Sequence, residues 1–118
     1  MNVEEVRTYC LSKKGVTEGF PFGEETLVFK VMGKMFALLA LERTPSQINL
    51  KCDPEQAILL REAYPEIIIP GYHMNKKHWN TLMLGQLPTH LIQTCVDDSY
   101  ELVVTKLPKK DREMLSSL

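Results

Sequence analysis

Apolar residues recur along this chain with two periods, and the switches between them divide it into elements. Val3, Val6 and Cys10 stand at i, i+3 and i+7, the stripe of an amphipathic helix. Asn2 can cap that helix, and Glu5 stands three residues on, as a capping box requires. Lys13-Lys14-Gly15 offers a stop, with cations near the negative helix end and a glycine to turn the chain. Phe20-Pro21-Phe22-Gly23 predicts a turn or edge segment, because proline cannot donate within a central ladder. From Thr26 the period becomes two. Thr26–Val31 and Met35–Leu41 flank Met32-Gly33-Lys34, the spacing of a β-hairpin with glycine at its tip. Leu27, Phe29 and Val31 are expected to face a core, and Thr26, Val28 and Lys30 the other side. Ser46–Cys52 alternates in the same way, with Ile48, Leu50 and Cys52 inward and Gln47, Asn49 and Lys51 outward. Lys30, Asn49 and Lys51 are therefore expected to share one exposed sheet face.

The second half returns to helical spacing. Asp53 is placed to cap a helix, Pro54 takes the first position where its missing N–H costs nothing, and Gln56 completes a box. Ala57, Leu60 and Tyr64 form its stripe until Pro65 ends it. Ile67-Ile68-Ile69 predicts a short strand or buried bend, punctuated by Pro70-Gly71. A loop over Tyr72–Lys77 precedes a further strand over His78–Leu84, whose buried face the pattern leaves open. Pro88 opens a helix with Leu91, Ile92 and Cys95. Asp97-Asp98-Ser99 is expected to interrupt it, with Asp98 or Ser99 as a new cap, before a second stripe of Tyr100, Val103, Val104 and Leu107. Pro108 starts a short charged tail that can add a last helical turn. The expected fold is α+β, a mainly antiparallel sheet of about five strands with helices packed on one face.

Composition narrows the class. At 118 residues the chain is expected to be a single domain, 1–118, large enough to hide a core without disulfide or metal. Hydrophobic residues at 44% and charged residues at 25% are those of an ordinary globular protein. Cys10, Cys52 and Cys95 cannot all pair and lie far apart, which predicts reduced thiols and a cytoplasmic location. No apolar run reaches the ~18 residues of a membrane helix, and the first residues lack a signal peptide's charge pattern. A net charge of −1 excludes a uniformly basic protein that coats nucleic acid indiscriminately. That small net charge conceals a pattern. Residues 1–25, 53–66 and 97–118, the helical segments, hold fourteen of the fifteen acids and eight bases. Residues 26–52 and 67–96, the strand segments, hold six bases against Glu42 alone. A sheet covered on one side by helices is then expected to be basic on its open face and acidic on its back.

Several phrases stand together in order: Phe20-Pro21-Phe22-Gly23; Phe29-Lys30-Val31 with Gly33-Lys34-Met35-Phe36-Ala37; and Asn49-Leu50-Lys51-Cys52-Asp53-Pro54-Glu55. After them come Pro70-Gly71-Tyr72-His73-Met74-Asn75-Lys76-Lys77-His78-Trp79-Asn80-Thr81, Asp98-Ser99-Tyr100 and Leu102-Val103-Val104. In these phrases the chain resembles the MmcQ/YjbR family of small bacterial proteins over nearly its whole length. The resemblance implies a CyaY-like fold and a proposed DNA-binding role through a double wing of β-hairpins.

The Tyr72–Thr81 segment is the densest set of reactive side chains. As a nucleic-acid contact, Lys76 and Lys77 would bind phosphate, Asn75 and Asn80 would bond base or backbone, and His73 and His78 would flank them. Tyr72 and Trp79 would stack or anchor the loop; the bland alternative makes them core and the lysines solvated. With Lys30, Lys34 and Lys51 these residues form the candidate DNA site, of low sequence specificity. Metal binding is not expected: His73 and His78 lack the i, i+4 spacing of a helical pair, residues 67–96 hold no acid, and there is no Cys-x-x-Cys. Each cysteine falls on an apolar stripe, where a thiol is inert packing, although Cys52 precedes a helix N-terminus that can lower its pKa. No catalytic residue, cofactor, membrane partner or enzyme activity is expected, and the chain is expected to be a monomer with DNA as partner. Two other functions compete. One is a small-molecule or nucleotide pocket near Lys30, Lys51, His73 and Trp79; the other is a protein–protein adaptor using the acidic helices.

Overall fold

The computed structural model describes residues 1–71 and 74–118. In chain order they form α1 (Val3–Leu11), β1 (Val16–Gly19), β2 (Thr26–Val31), β3 (Lys34–Ala40), β4 (Gln47–Lys51), α2 (Pro54–Ala63), β5 (Ile68–Pro70), β6 (Trp79–Met83), α3 (Thr89–Thr105) and α4 (Lys109–Ser116). The strands form one sheet in the order β1-β2-β3-β4-β6-β5, and every pair is antiparallel. The fold is α+β. The sheet has six strands rather than about five, because Val16–Gly19 adds an edge strand too short for its period to be read.

Capping follows the sequence at α1, where Asn2 accepts from the Glu5 amide at 2.8 Å and Glu5 accepts from the Asn2 amide at 3.0 Å. At α2 only half of the expected box forms: Asp53 accepts from the Glu55 and Gln56 amides, and the return bond from the Gln56 side chain is not made. Met32 and Gly33 both have positive φ (49° and 81°), the two-residue turn whose twist matches a hairpin, and Gly33 takes the strained position freely.

Two expectations fail for physical reasons. The segment Asp97-Asp98-Ser99 does not interrupt α3, which runs unbroken for 17 residues. Ser99 is wholly buried and donates its hydroxyl to the Phe36 carbonyl at 2.5 Å, while accepting the Lys51 amide at 2.8 Å. The need for that hydroxyl lies on β3. Phe29 faces Ala37 and Lys30 faces Met35, so Phe36 is the extra residue of a β-bulge, and Ser99 supplies its carbonyl's missing donor. A polar residue that resembles a cap in sequence thus seals the sheet onto the helix.

The second failure concerns the sheet's open face. Leu27, Phe29, Val31, Leu39, Ile48, Leu50, Ile68 and Leu82 meet Val6, Cys10, Ile92, Val96, Tyr100 and Val103 in the main core, so the helices do cover one face. Each such side chain contributes roughly 1.5–3 kcal/mol by leaving water. The opposite face is not simply exposed: Val28, Leu38 and Trp79 are buried there and pack with Met35 and Met74 in a second, smaller cluster. Trp79 is therefore a packing residue, and the apolar strip occupies the middle of the face that charge alone made basic.

Candidate functional site

The antiparallel register decides where the charges go. Val16, Val31, Lys34, Lys51, Trp79 and Pro70 lie at one end of their strands, and Gly19, Thr26, Ala40, Gln47, Met83 and Ile68 at the other. The first end, at the β2–β3 turn, collects Lys30, Lys34 and Lys51 from the strands, and Lys76 and Lys77 from the connection into β6. Asp53 is the acid nearest in sequence to that set, and its carboxylate is spent on the α2 amides. None of the five lysines joins a salt bridge among the described residues. The far end is the reverse, with Glu24, Glu25, Glu42 and Glu66 on its connections against Arg43. Charge therefore divides along the strands as well, from one end of the sheet to the other.

Side chains that sequence reasoning passed over hold this basic end in shape. Arg61, on α2, donates to the Lys76 carbonyl and to Asn80 Oδ1, the latter at 2.7 Å. Asn80 in turn donates to the Ala57 carbonyl at 3.3 Å and is buried, which removes it from the nucleic-acid contacts expected of it. Asn75 is exposed but structural in part: its Oδ1 accepts from the Lys77 amide and its carbonyl from the His78 and Trp79 amides, each at 3.0 Å. The His78 carbonyl accepts from the Cys52 amide at 2.7 Å, tying the connection to the end of β4. Gly71 lies so close to Trp79 that an added Cβ would sit 2.9 Å from the Trp79 Cβ, so only glycine lets this segment run past β6. The result leaves Lys76 and Lys77 exposed on a backbone fixed from three sides. Tyr72 and His73 fall outside the described residues.

Lys51 stands at the end of β4. Partial burial, and then the nearby Lys106, push its pKa below the ordinary lysine value. A cation held against another cation is stabilised by any anion that arrives. The thiols show the opposite of activation. Burial pushes Cys10 and Cys95 up to about 12. Cys52 also rises, by burial and then by the carboxylates of Asp98 and Asp53, which outweigh the helix N-terminus expected to lower it. Among the described residues no three His, Cys, Asp or Glu side chains converge as a ligand set for a metal, and no helix is long and apolar enough to cross a membrane.

His73 of the pocket expected near Lys30, Lys51, His73 and Trp79 lies outside the described residues, and a distinct cleft lies elsewhere. It has a volume of about 360 Å³ and is lined by Phe22, Thr26, Leu38, Ala40, Arg43, Gln47, Asn49, Met74 and Thr81. It lies on the open face, towards the acidic end. None of Lys30, Lys51 and Trp79 lines it.

Comparison with known proteins gives one consistent result. The YjbR family model matches residues 11–102. Protein YjbR of Escherichia coli K12 is 34% identical over 119 residues, spanning 100% of both chains. Protein YbdF of Escherichia coli O157:H7 is 44% identical over 95 residues, covering 80% of this chain and 77% of that one. Among solved structures, Deinococcus radiodurans protein DR2400, described by its domain DUF419, superposes with a TM-score of 0.90 at 42% identity, covering 98% of this chain and 88% of its own. A Pseudomonas syringae protein superposes with a TM-score of 0.74 at 30% identity, covering 86% of this chain and 98% of its own.

Proposed function

The chain belongs to the YjbR family, and on this fold we propose that it is a DNA-binding module rather than an enzyme, reading phosphate rather than sequence through the basic end of its sheet. The observation that carries the reading is the gathering of Lys30, Lys34, Lys51, Lys76 and Lys77 at one end of the strands, away from the carboxylates of the far end. The β2–β3 hairpin serves as one wing, with Lys30 and Lys34 bracketing its turn. The connection into β6 makes the second contact, with His78 and Asn75 beside Lys76 and Lys77. Lysines act on phosphate as point charges and discriminate bases weakly, so affinity is modest and nearly independent of sequence. The depressed pKa of Lys51 supports the same reading, because a duplex phosphate relieves its repulsion with Lys106.

The test is the salt dependence of binding to short duplex DNA. Lys76→Ala with Lys77→Ala is expected to weaken binding similarly on unrelated sequences and to lower the salt slope by roughly 1.8, at ~0.9 per phosphate contact. Lys51→Gln is expected to weaken DNA binding while slightly raising the melting temperature of the free protein, a combination a merely structural lysine does not give. Absence of duplex binding at low salt, or an unchanged slope in the double variant, contradicts the proposal.

A further inference from the structure

The cleft on the open face lies away from the lysines, and its chemistry is different. Its volume of about 360 Å³ lies in the range of roughly 300–1,000 Å³ that small-molecule sites occupy. The sheet register builds its floor in two rows: Thr26, Ala40 and Gln47 are cross-strand neighbours, and so are Leu38, Asn49 and Thr81. Two far-end connections, residues 20–25 and 41–46, bring Phe22 and Arg43 to its rim, and Met74 closes it from the other side. These two connections are joined where the Leu41 amide donates to the Glu25 carbonyl at 2.9 Å.

The polar lining of this cleft includes hydrogen-bond donors. The Thr81 hydroxyl is buried and donates to Asn49 Oδ1, which leaves the Asn49 Nδ2 hydrogens for another partner. Gln47 presents an amide beside it, and Arg43 supplies the single cation. Arg43 is exposed and forms no salt bridge among the described residues. The remaining walls, Phe22, Leu38, Ala40 and Met74, are apolar, and Phe22 is 64% exposed. A ligand matched to this site carries acceptor oxygens at one end and an apolar body at the other.

We propose that the cleft binds a small organic monoanion, a carboxylate with an apolar or aromatic body. The carboxylate takes the Arg43 fork and the amide donors of Gln47 and Asn49. Its body packs between Phe22, Leu38 and Met74. One negative charge is the limit. Glu24, Glu25 and Glu42 stand on the same two connections, so each charge beyond the one that Arg43 pairs adds repulsion, and a phosphate dianion or a nucleic-acid backbone is disfavoured more than a monoanion. The site is independent of the lysine cluster and stands whether or not that cluster binds DNA.

The test titrates the isotope-labelled protein with 3-phenylpropionate, its neutral amide and inorganic phosphate, following backbone and side-chain amide shifts. The acid is expected to give saturable shifts at Thr26, Ala40, Gln47, Asn49 and Thr81, with an affinity at least about tenfold above that of the amide, the lower bound for a charge-assisted contact. Phosphate is expected to leave these residues unmoved. Arg43→Met keeps the apolar stem and is expected to erase the preference for acid over amide, while Lys76→Ala with Lys77→Ala keeps it. Equal binding of acid and amide, shifts confined to the lysine end, an unchanged preference in Arg43→Met, or no saturable shift with the acid overturns the proposal.

Discussion

The two ends of the sheet use the same strands and are built in opposite ways. At the basic end, side chains lock the backbone: Ser99 bonds the β3 bulge and the end of β4, Arg61 bonds the Lys76 carbonyl, and Asn75 closes its own turn. At the acidic end the two connections are joined by a backbone bond from the Leu41 amide to the Glu25 carbonyl at 2.9 Å, and residues 41–46 are tied to the end of β6 by the Leu84 amide, which donates to the Ser46 carbonyl at 3.0 Å. A fixed array of cations suits a stiff polyanion, whose charges are themselves fixed in space. A small cleft with one arginine and an exposed phenylalanine in its lining suits a small ligand. The lesson is that the antiparallel order, more than the net charge, divides this small protein into two chemically distinct ends.

The largest expected effect breaks the lock at the basic end. Ser99→Val leaves the buried Phe36 carbonyl and the part-buried Lys51 amide without their partner, and at ~1–3 kcal/mol for each such group the variant is expected to lose roughly 2–6 kcal/mol of stability. Chemical denaturation measures it; a loss under about 1 kcal/mol shows that the two groups find other partners. Next comes Arg61→Met, which frees the Lys76 carbonyl without removing any lysine. DNA affinity is expected to fall with little change in salt slope, while binding at the far cleft is untouched. A fall at both sites would mean that the ends are not independent. A smaller effect comes from charge balance: Glu24→Gln with Glu25→Gln raises the net charge by two, yet DNA affinity is expected to change much less than in the lysine double variant. An equal and opposite change would reduce the account to overall charge.

The smallest effect is a pH dependence. Burial, and then Asp97, raises the Asp98 pKa above the ordinary aspartate value. The native state therefore keeps its proton at pH values where the unfolded chain has lost it, and stability declines as pH rises through that window. Asp98→Asn is expected to raise the melting temperature slightly at neutral pH and to change nothing below the ordinary aspartate range. A neutral-pH gain that persists at low pH would point to packing rather than charge.

Much of this was legible in the chain. The hairpin around Met32-Gly33, the outward row Gln47, Asn49 and Lys51, and both N-caps followed from periodicity and cap chemistry, because those are decided by neighbours in sequence. The concentration of bases in the strand segments was also visible, but its direction was not: which end a strand residue occupies depends on pairing partners as distant as Gln47 and Met83. Ser99 was misread for the same reason. A serine after two aspartates has the local chemistry of a cap, and only the bulge at Phe36 explains why the helix runs through it. The cleft was invisible because its residues come from four strands and three connections, and no window of sequence contains more than a few of them.

The central claim is that polyanion binding belongs to one end of the sheet. The most direct measurement is a backbone-amide shift map of the labelled protein titrated with short duplex DNA at low salt. The account predicts that shifts concentrate at Lys30–Lys34, Lys51 and Asn75–His78, fade as salt rises, and leave residues 20–25 and 41–46 in place. Shifts centred on those two connections or on the outer faces of the helices, or no shifts at all, would contradict it.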